Sequence, residues 1–189
     1  MHPSRKILHP PGGILIWLIL VSELLTFALA FWGYFWIKNQ NWDVFSRSQQ
    51  TLDLPKATVN TLVLLTSSYT AFLGQYFYTK QRASLSVYMY SATTLLGILF
   101  LALKYSEYID KLNHGHDMNS NLFFSFYWGI TAFHALHVFV GIIILAAITY
   151  KIKINSPFAE QDMNEETGTV FWHMCDLIWV FVFAIIYLL

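Results

Sequence analysis

Charged residues are scarce in this sequence of 189 residues: they make up 12% of it, whereas soluble domains usually carry about 25%. Its single cysteine, Cys175, excludes an internal disulfide and any cysteine-rich metal site. The net charge is zero, so the chain lacks the basic footprint of a nucleic-acid-binding protein. No nucleotide-binding loop, CxxC motif or nucleophile–base arrangement is present. These absences favour a packing partner over a catalyst.

Long apolar runs dominate what remains, since 56% of the residues are hydrophobic. A helix needs about 20 apolar residues to cross a bilayer core ~30 Å thick. Glu23 lies within the first run, which is also too long for a cleaved signal peptide. We therefore predict an all-α integral membrane protein, a bundle of five transmembrane helices forming one helical domain over residues 1–189. The predicted spans are 13–37, 57–79, 84–108, 122–150 and 169–189.

Loop charges give the expected orientation. Of the eleven lysines and arginines, six lie on the side of the predicted N-terminus and five on the opposite side. Cytoplasmic loops carry the excess of such residues. The count therefore favours a cytoplasmic N-terminus and a C-terminus on the outer side.

Glu23 is an ionisable residue near the middle of the first predicted span. It lies ten residues after Gly13, or ~15 Å along a helix that rises 1.5 Å per residue. A carboxyl group at that depth must be neutral, paired, or turned towards protein or water. Two interpretations stay open: a proton-linked or structural carboxyl that contacts another subunit, or a protonated side chain hydrogen-bonded to a neighbouring helix.

Two further helices carry ionisable residues three positions apart, which places each pair on one helical face. His134 and His137 form one pair, and His173 and Asp176 form the other. Three histidines could build a haem or metal site in a small membrane electron carrier. We favour the alternative that these groups satisfy one another across helices, with Asp176 accepting from a histidine ring.

Other polar residues in the spans have simpler expected roles. Asn60 belongs to a polar run that includes Ser67 and Ser68, of the kind that holds transmembrane helices together. Glu107 ends the third predicted span, where its carboxylate is expected to reach water or lipid headgroups.

Several motifs, in order along the chain, resemble cytochrome c oxidase subunit III. The stretch from Phe126 to Gly141, with His134 and His137, is similar to that family's FHGLHV region. The stretch from Phe171 to Phe181 resembles its final helix, WHFVDxxWxF. The remaining similarities are Ser22-Glu23 to its SE pair, Asn60-Thr61 with Thr66-Ser67-Ser68 to its NT…SS helix, and Glu107-Tyr108 to its EY pair.

The resemblance implies a short, five-helix bacterial subunit III of a haem–copper respiratory oxidase, in the inner membrane. Such a subunit carries no haem, copper or catalytic residue; those cofactors belong to the partner subunits. It packs on the catalytic subunit I, alongside subunit II and other small subunits, binds phospholipids, and supports proton uptake and stability during oxygen reduction. Glu23 would face the catalytic subunit. The expected structural polar or lipid contacts are Asn60, Glu107, His134, His137, His173 and Asp176. The alternative is an accessory protein of a nitric oxide reductase.

Overall fold

The computed structural model describes residues 13–154 and 164–189, and every regular element in these residues is helical. The last helix continues into a π-helical turn, Ala184–Leu188. The helices are α1 (Gly13–Gln40), α2 (Trp42–Gln49), α3 (Leu54–Thr79), α4 (Ala83–Asn113), α5 (Leu122–Ile154) and α6 (Asn164–Phe183).

Among the described residues, four helices are long and apolar enough to cross a membrane: α1, α4, α5, and α6 together with its π-helical turn. The prediction of five spans is therefore confirmed, by length and composition, for four helices. The remaining predicted span, 57–79, lies in α3, whose polar residues lower its hydropathy. With 26 residues, α3 is still about 39 Å long, which exceeds the thickness of a bilayer core.

The short link between α3 and α4 forms a tight antiparallel hairpin. α3 ends at Thr79 and α4 begins at Ala83. Gln81 adopts a positive φ of 57°, which turns the chain within three residues. The Ser86 hydroxyl then donates to the carbonyl oxygen of Gly74 across the hairpin, at 2.9 Å.

The helices α3 to α6 pack against one another, and α1 lies outside this group against α5 and α6. The ring of Trp172 in α6 lies against Gly97 of α4 and Gly141 of α5. A Cβ atom added at Gly97 would lie 2.6 Å from its ring, and one added at Gly141 would lie 2.8 Å from it. Small residues thus make room for a buried tryptophan, as is common between membrane helices.

The sequence did not predict the short helix α2. Its Phe45 side chain is buried against the rings of Tyr34, at 5.2 Å, and Phe123, at 5.6 Å. Residues 41–53 and 114–121 lie together at one end of the bundle, which we call the α2 end. The Asn121 amide donates to the Ser48 hydroxyl there, at 2.9 Å.

Candidate functional site

Glu23 of α1 and His137 of α5 form a polar pair between two helices. The distance from His137 Nε2 to Glu23 Oε2 is 2.9 Å. The other ring nitrogen, Nδ1, lies 2.8 Å from the carbonyl oxygen of Phe133. The Glu23 side chain is 26% exposed, so the pair lies at the edge of the bundle and not in its centre.

Both contacts of the His137 ring can be hydrogen bonds at the same time. A carbonyl oxygen only accepts, so Nδ1 of His137 must carry a hydrogen. The bond between Nε2 and Glu23 then contains one proton, which lies either on the carboxyl group or on the ring. In both cases the pair as a whole is neutral, so it avoids the free-energy cost of placing a net charge in a membrane.

His173 and Asp176 of α6 meet Ser68 of α3. Nδ1 of His173 lies 3.3 Å from Asp176 Oδ2 and 2.9 Å from the Ser68 hydroxyl. Asp176 is buried, and its second oxygen, Oδ1, has no hydrogen-bond partner among the described residues. The cluster joins α3 to α6 through the hydrogen bond between the Ser68 hydroxyl and the His173 ring.

Two tryptophans strengthen the same helix pair. The indole of Trp172 donates to the Ser67 hydroxyl at 3.2 Å. The indole of Trp179 donates to the Thr61 hydroxyl at 3.0 Å. Three members of the polar run of α3, Thr61, Ser67 and Ser68, thus form hydrogen bonds with α6.

His134 differs from what the sequence led us to expect. We expected polar contacts across helices, but both of its ring nitrogens lack a hydrogen-bond partner within residues 13–154 and 164–189. The ring is fully buried among aromatic side chains, with its centroid 5.0 Å from Trp179 and 5.9 Å from Phe100. His137, three residues further along α5, instead contacts Glu23 of α1.

Asn60 also departs from expectation. It was predicted to hold helices together, yet neither its Nδ2 nor its Oδ1 atom is hydrogen-bonded to a described residue. The residue is only 2% exposed. It lines a groove between α3 and α4.

Glu107 is buried. The prediction that its carboxylate reaches water or lipid headgroups is therefore wrong. Its Oε1 atom accepts from the hydroxyls of Tyr127, at 2.8 Å, and Tyr187, at 2.6 Å. Its Oε2 atom accepts from Lys104 at 3.1 Å. Lys104 and Glu107 are 1% and 3% exposed, and this is the most completely enclosed ion pair in the described residues.

Sequence reasoning missed Lys104 and its aromatic surroundings. The Lys104 ammonium also lies 4.8 Å from the ring centre of Tyr127 and 5.5 Å from that of Trp179, within cation–π range. One signal was available, because Lys104 precedes Glu107 by three residues on a helix and so shares its face. No signal identified Tyr187, which lies 80 residues away from Glu107.

His134, His137 and His173 do not come together as a ligand set. Within the part of the chain that the structure describes, no group of three or more His, Cys, Asp or Glu side chains could hold a metal ion. His134 contacts aromatic rings, His137 contacts Glu23, and His173 contacts Ser68 and Asp176.

Sequence comparisons relate this chain to known proteins. The sequence model of the family described as "Cytochrome c oxidase subunit III" matches residues 12–189. A cytochrome c oxidase subunit 3 from Thermostichus vulcanus is 28% identical over 189 residues, covering 100% of this chain and 89% of the relative. A cytochrome bo(3) ubiquinol oxidase subunit 3 from Buchnera aphidicola is 27% identical over 173 residues, covering 92% of this chain and 84% of the relative. The chain belongs to the cytochrome c oxidase subunit III family.

Proposed function

We propose that this chain is a non-catalytic accessory subunit of a bacterial haem–copper respiratory oxidase. In this proposal it packs on the catalytic subunit, which holds the haem and copper together with subunit II, and it binds phospholipids. The observation that carries the proposal is the position of Glu23, an ionisable side chain that is partly exposed on the helix least enclosed by its own bundle.

The exposed side of α1 is the surface that we assign to the catalytic subunit. Only 17% of the most apolar stretch of α1 is buried, compared with 61% of that of α6. Exposed apolar residues alone would suit lipid equally well. Glu23 breaks this equivalence, because an ionisable group in a span usually faces protein or water. The bond to His137 engages one carboxyl oxygen, Oε2, and we assign the second oxygen to a contact with the partner.

We further propose that the Glu23–His137 pair supports proton uptake by the catalytic subunit. A proton between a carboxyl group and an imidazole ring 2.9 Å apart can lie on either group, and its transfer leaves the pair neutral. Such a pair can hold a proton inside the membrane without the cost of an isolated charge.

The proposed membrane topology has five spans, with the N-terminus in the cytoplasm and the C-terminus on the outer side of the bacterial inner membrane. The support for α3 as a span is its length and its antiparallel hairpin with α4, which is a candidate span. In this orientation the α2 end faces outward.

A gentle detergent purification through a C-terminal tag tests the proposal. Haem that arrives only together with a large multi-span subunit is the expected result, seen by a visible spectrum and by mass spectrometry of the retained proteins. The identity of that subunit also separates oxygen chemistry from nitric oxide chemistry. A chain that comes alone and carries haem or metal at one per chain would overturn the proposal.

The Glu23→Gln variant tests the proton-linked part. The glutamine amide can still donate to Nε2 of His137, so the contact persists while the titratable proton is lost. We expect normal assembly, with lower sustained turnover or faster inactivation. Thr26→Val is the matched control, since Thr26 is exposed one turn further along α1 and its hydroxyl donates within its own helix. Unchanged turnover and lifetime in Glu23→Gln would leave Glu23 a structural carboxyl only.

A further inference from the structure

One side of α6 carries a polar residue among apolar ones. Partly or fully exposed residues recur along this helix every three or four positions, which places them on one side of it. Four of them define what we call the α6 face: Val170, His173, Leu177 and Val180. The three apolar members suit lipid as well as protein. His173 differs, because its side chain is 38% exposed within a candidate membrane span.

The depth of His173 excludes lipid headgroups as its outer contact. The span that contains it runs from Glu165 to Leu188, so it is about 35 Å long and His173 lies about 12 Å from its start. Centred on a bilayer core of ~30 Å, this span places His173 roughly 10 Å inside the hydrocarbon. Acyl chains at that depth offer no hydrogen-bond partner. A polar side chain in such a position usually faces protein or water.

The inner ring nitrogen of His173 is already engaged by its own chain. Nδ1 lies 3.3 Å from Asp176 Oδ2 and 2.9 Å from the Ser68 hydroxyl. The other carboxyl oxygen, Oδ1, is buried and has no hydrogen-bond partner among the described residues. A proton on Oδ1 would therefore be an unsatisfied buried donor, which is unfavourable. In a neutral pair, which a membrane favours, the shared proton then lies between Nδ1 and Oδ2.

The outer ring nitrogen, Nε2, is a hydrogen-bond donor in this neutral pair. If the shared proton lies on the ring, His173 is an imidazolium and both nitrogens carry hydrogens. If it lies on Asp176, Nδ1 accepts and the hydrogen of the neutral ring is on Nε2. Within residues 13–154 and 164–189, the hydrogen bonds of His173 are those of Nδ1. An N–H group that meets only hydrocarbon costs free energy, so the α6 face calls for an acceptor.

We propose that a transmembrane helix of another subunit of the oxidase packs on the α6 face and accepts a hydrogen bond from Nε2 of His173. The proposal rests on the proposed function, which supplies the complex, and it adds a contact surface beyond the exposed side of α1. Leu177 and Val180 supply apolar packing area. The partner helix is apolar and carries one hydroxyl, amide or carboxyl oxygen at the depth of His173, as is common between membrane helices.

Photo-cross-linking from Leu177 identifies what covers the α6 face. Leu177 lies one turn after His173, and Ile98 of α4 is the matched control, since both side chains are 50% exposed. In membranes that contain the assembled oxidase, a photoreactive amino acid at Leu177 should form a covalent product with another protein chain. The same amino acid at Ile98 should form none. Products with lipid or another small molecule alone from Leu177 would overturn the proposal.

Variants of His173 test the hydrogen bond itself. The complex is purified through the tag of this chain, and mass spectrometry follows the loss of partner subunits with time in detergent. His173→Leu should accelerate that loss about tenfold, the effect of one buried hydrogen bond. His173→Gln, whose amide keeps an N–H donor, should stay close to the unmodified chain. Ser68→Ala is the matched control, because it removes an internal contact of the same ring and leaves Nε2 in place.

Equal dissociation rates for His173→Leu and the unmodified chain would overturn the proposal. So would equal acceleration by His173→Leu and Ser68→Ala, because the ring would then act only within its own chain. If His173→Leu fails to fold, the cross-link from Leu177 decides, since it keeps His173 unchanged. Failure here is distinct from failure of the proposed function, which is judged by whether the unmodified chain retains a haem-bearing subunit.

Discussion

Replacing Glu107 alone by glutamine should destabilise the chain more than replacing Glu107 and Lys104 together by glutamine. The single change leaves the Lys104 ammonium enclosed without a carboxylate, although its contacts with the Tyr127 and Tyr187 hydroxyls persist. The double change removes both charges and retains side chains that can form hydrogen bonds. The sign of this comparison follows from burial, since both residues are almost fully enclosed.

The expected magnitude is large for the single variants. Breaking a buried ion pair by removing one partner costs about 3–5 kcal/mol. For a chain of this size, each kcal/mol shifts the unfolding midpoint by about 2–4 °C. We therefore expect Glu107→Gln or Lys104→Gln to lower the midpoint by about 10 °C, and the double variant to lower it by clearly less than either.

The lone cysteine provides the assay. Cys175 is fully buried, so a thiol-reactive fluorescent dye reports its exposure as the chain unfolds on heating. The control is labelling after complete denaturation, which should be equal in all variants. If the double variant lost as much stability as the two single variants added together, the two residues would not be coupled and this reasoning would be refuted.

The same assay checks two packing predictions. Gly97→Ala should lower the midpoint, because the added methyl group would lie 2.6 Å from the Trp172 ring, while Gly129→Ala, with open space around it, should not. An unchanged midpoint in Gly97→Ala would mean that the ring moves aside freely. Trp179→Phe should cost about 1–3 kcal/mol, since it removes the bond to Thr61 and some buried volume. A midpoint within error of the unmodified chain would contradict that estimate.

The sequence predicted the long helices well because apolar length alone reports a span. It did not predict α2, which has only eight residues and is defined by one buried ring, Phe45. It also wrongly placed the Glu107 carboxylate in water or among lipid headgroups. The length of an apolar run gives the position of a residue along the membrane normal, but it does not give the side of the helix on which the residue lies. The direction is set by Tyr187 and Tyr127, which reach Glu107 from other helices.

For the histidines too, the sequence did not give the contacts that each side chain makes. Their spacing placed His134 and His137 on one face of a helix, but it did not predict which residues of other helices each ring would contact. His137 reaches Glu23, 114 residues away in the chain, whereas His134 packs against aromatic rings and has no hydrogen-bond partner among the described residues. Such contacts depend on how helices pack, and pairwise packing is not encoded in any single helix.

Photo-cross-linking from the exposed face of α1 tests the central claim most directly. A photoreactive amino acid is placed at Leu29 of α1 and, as the control, at Leu95 of α4; these side chains are matched in exposure, at 66% and 67%. The account predicts a covalent product between the Leu29 position and a haem-bearing catalytic subunit in membranes, and no such product from Leu95. Cross-links from the Leu29 position to lipid alone, in membranes where the oxidase is assembled, would contradict it.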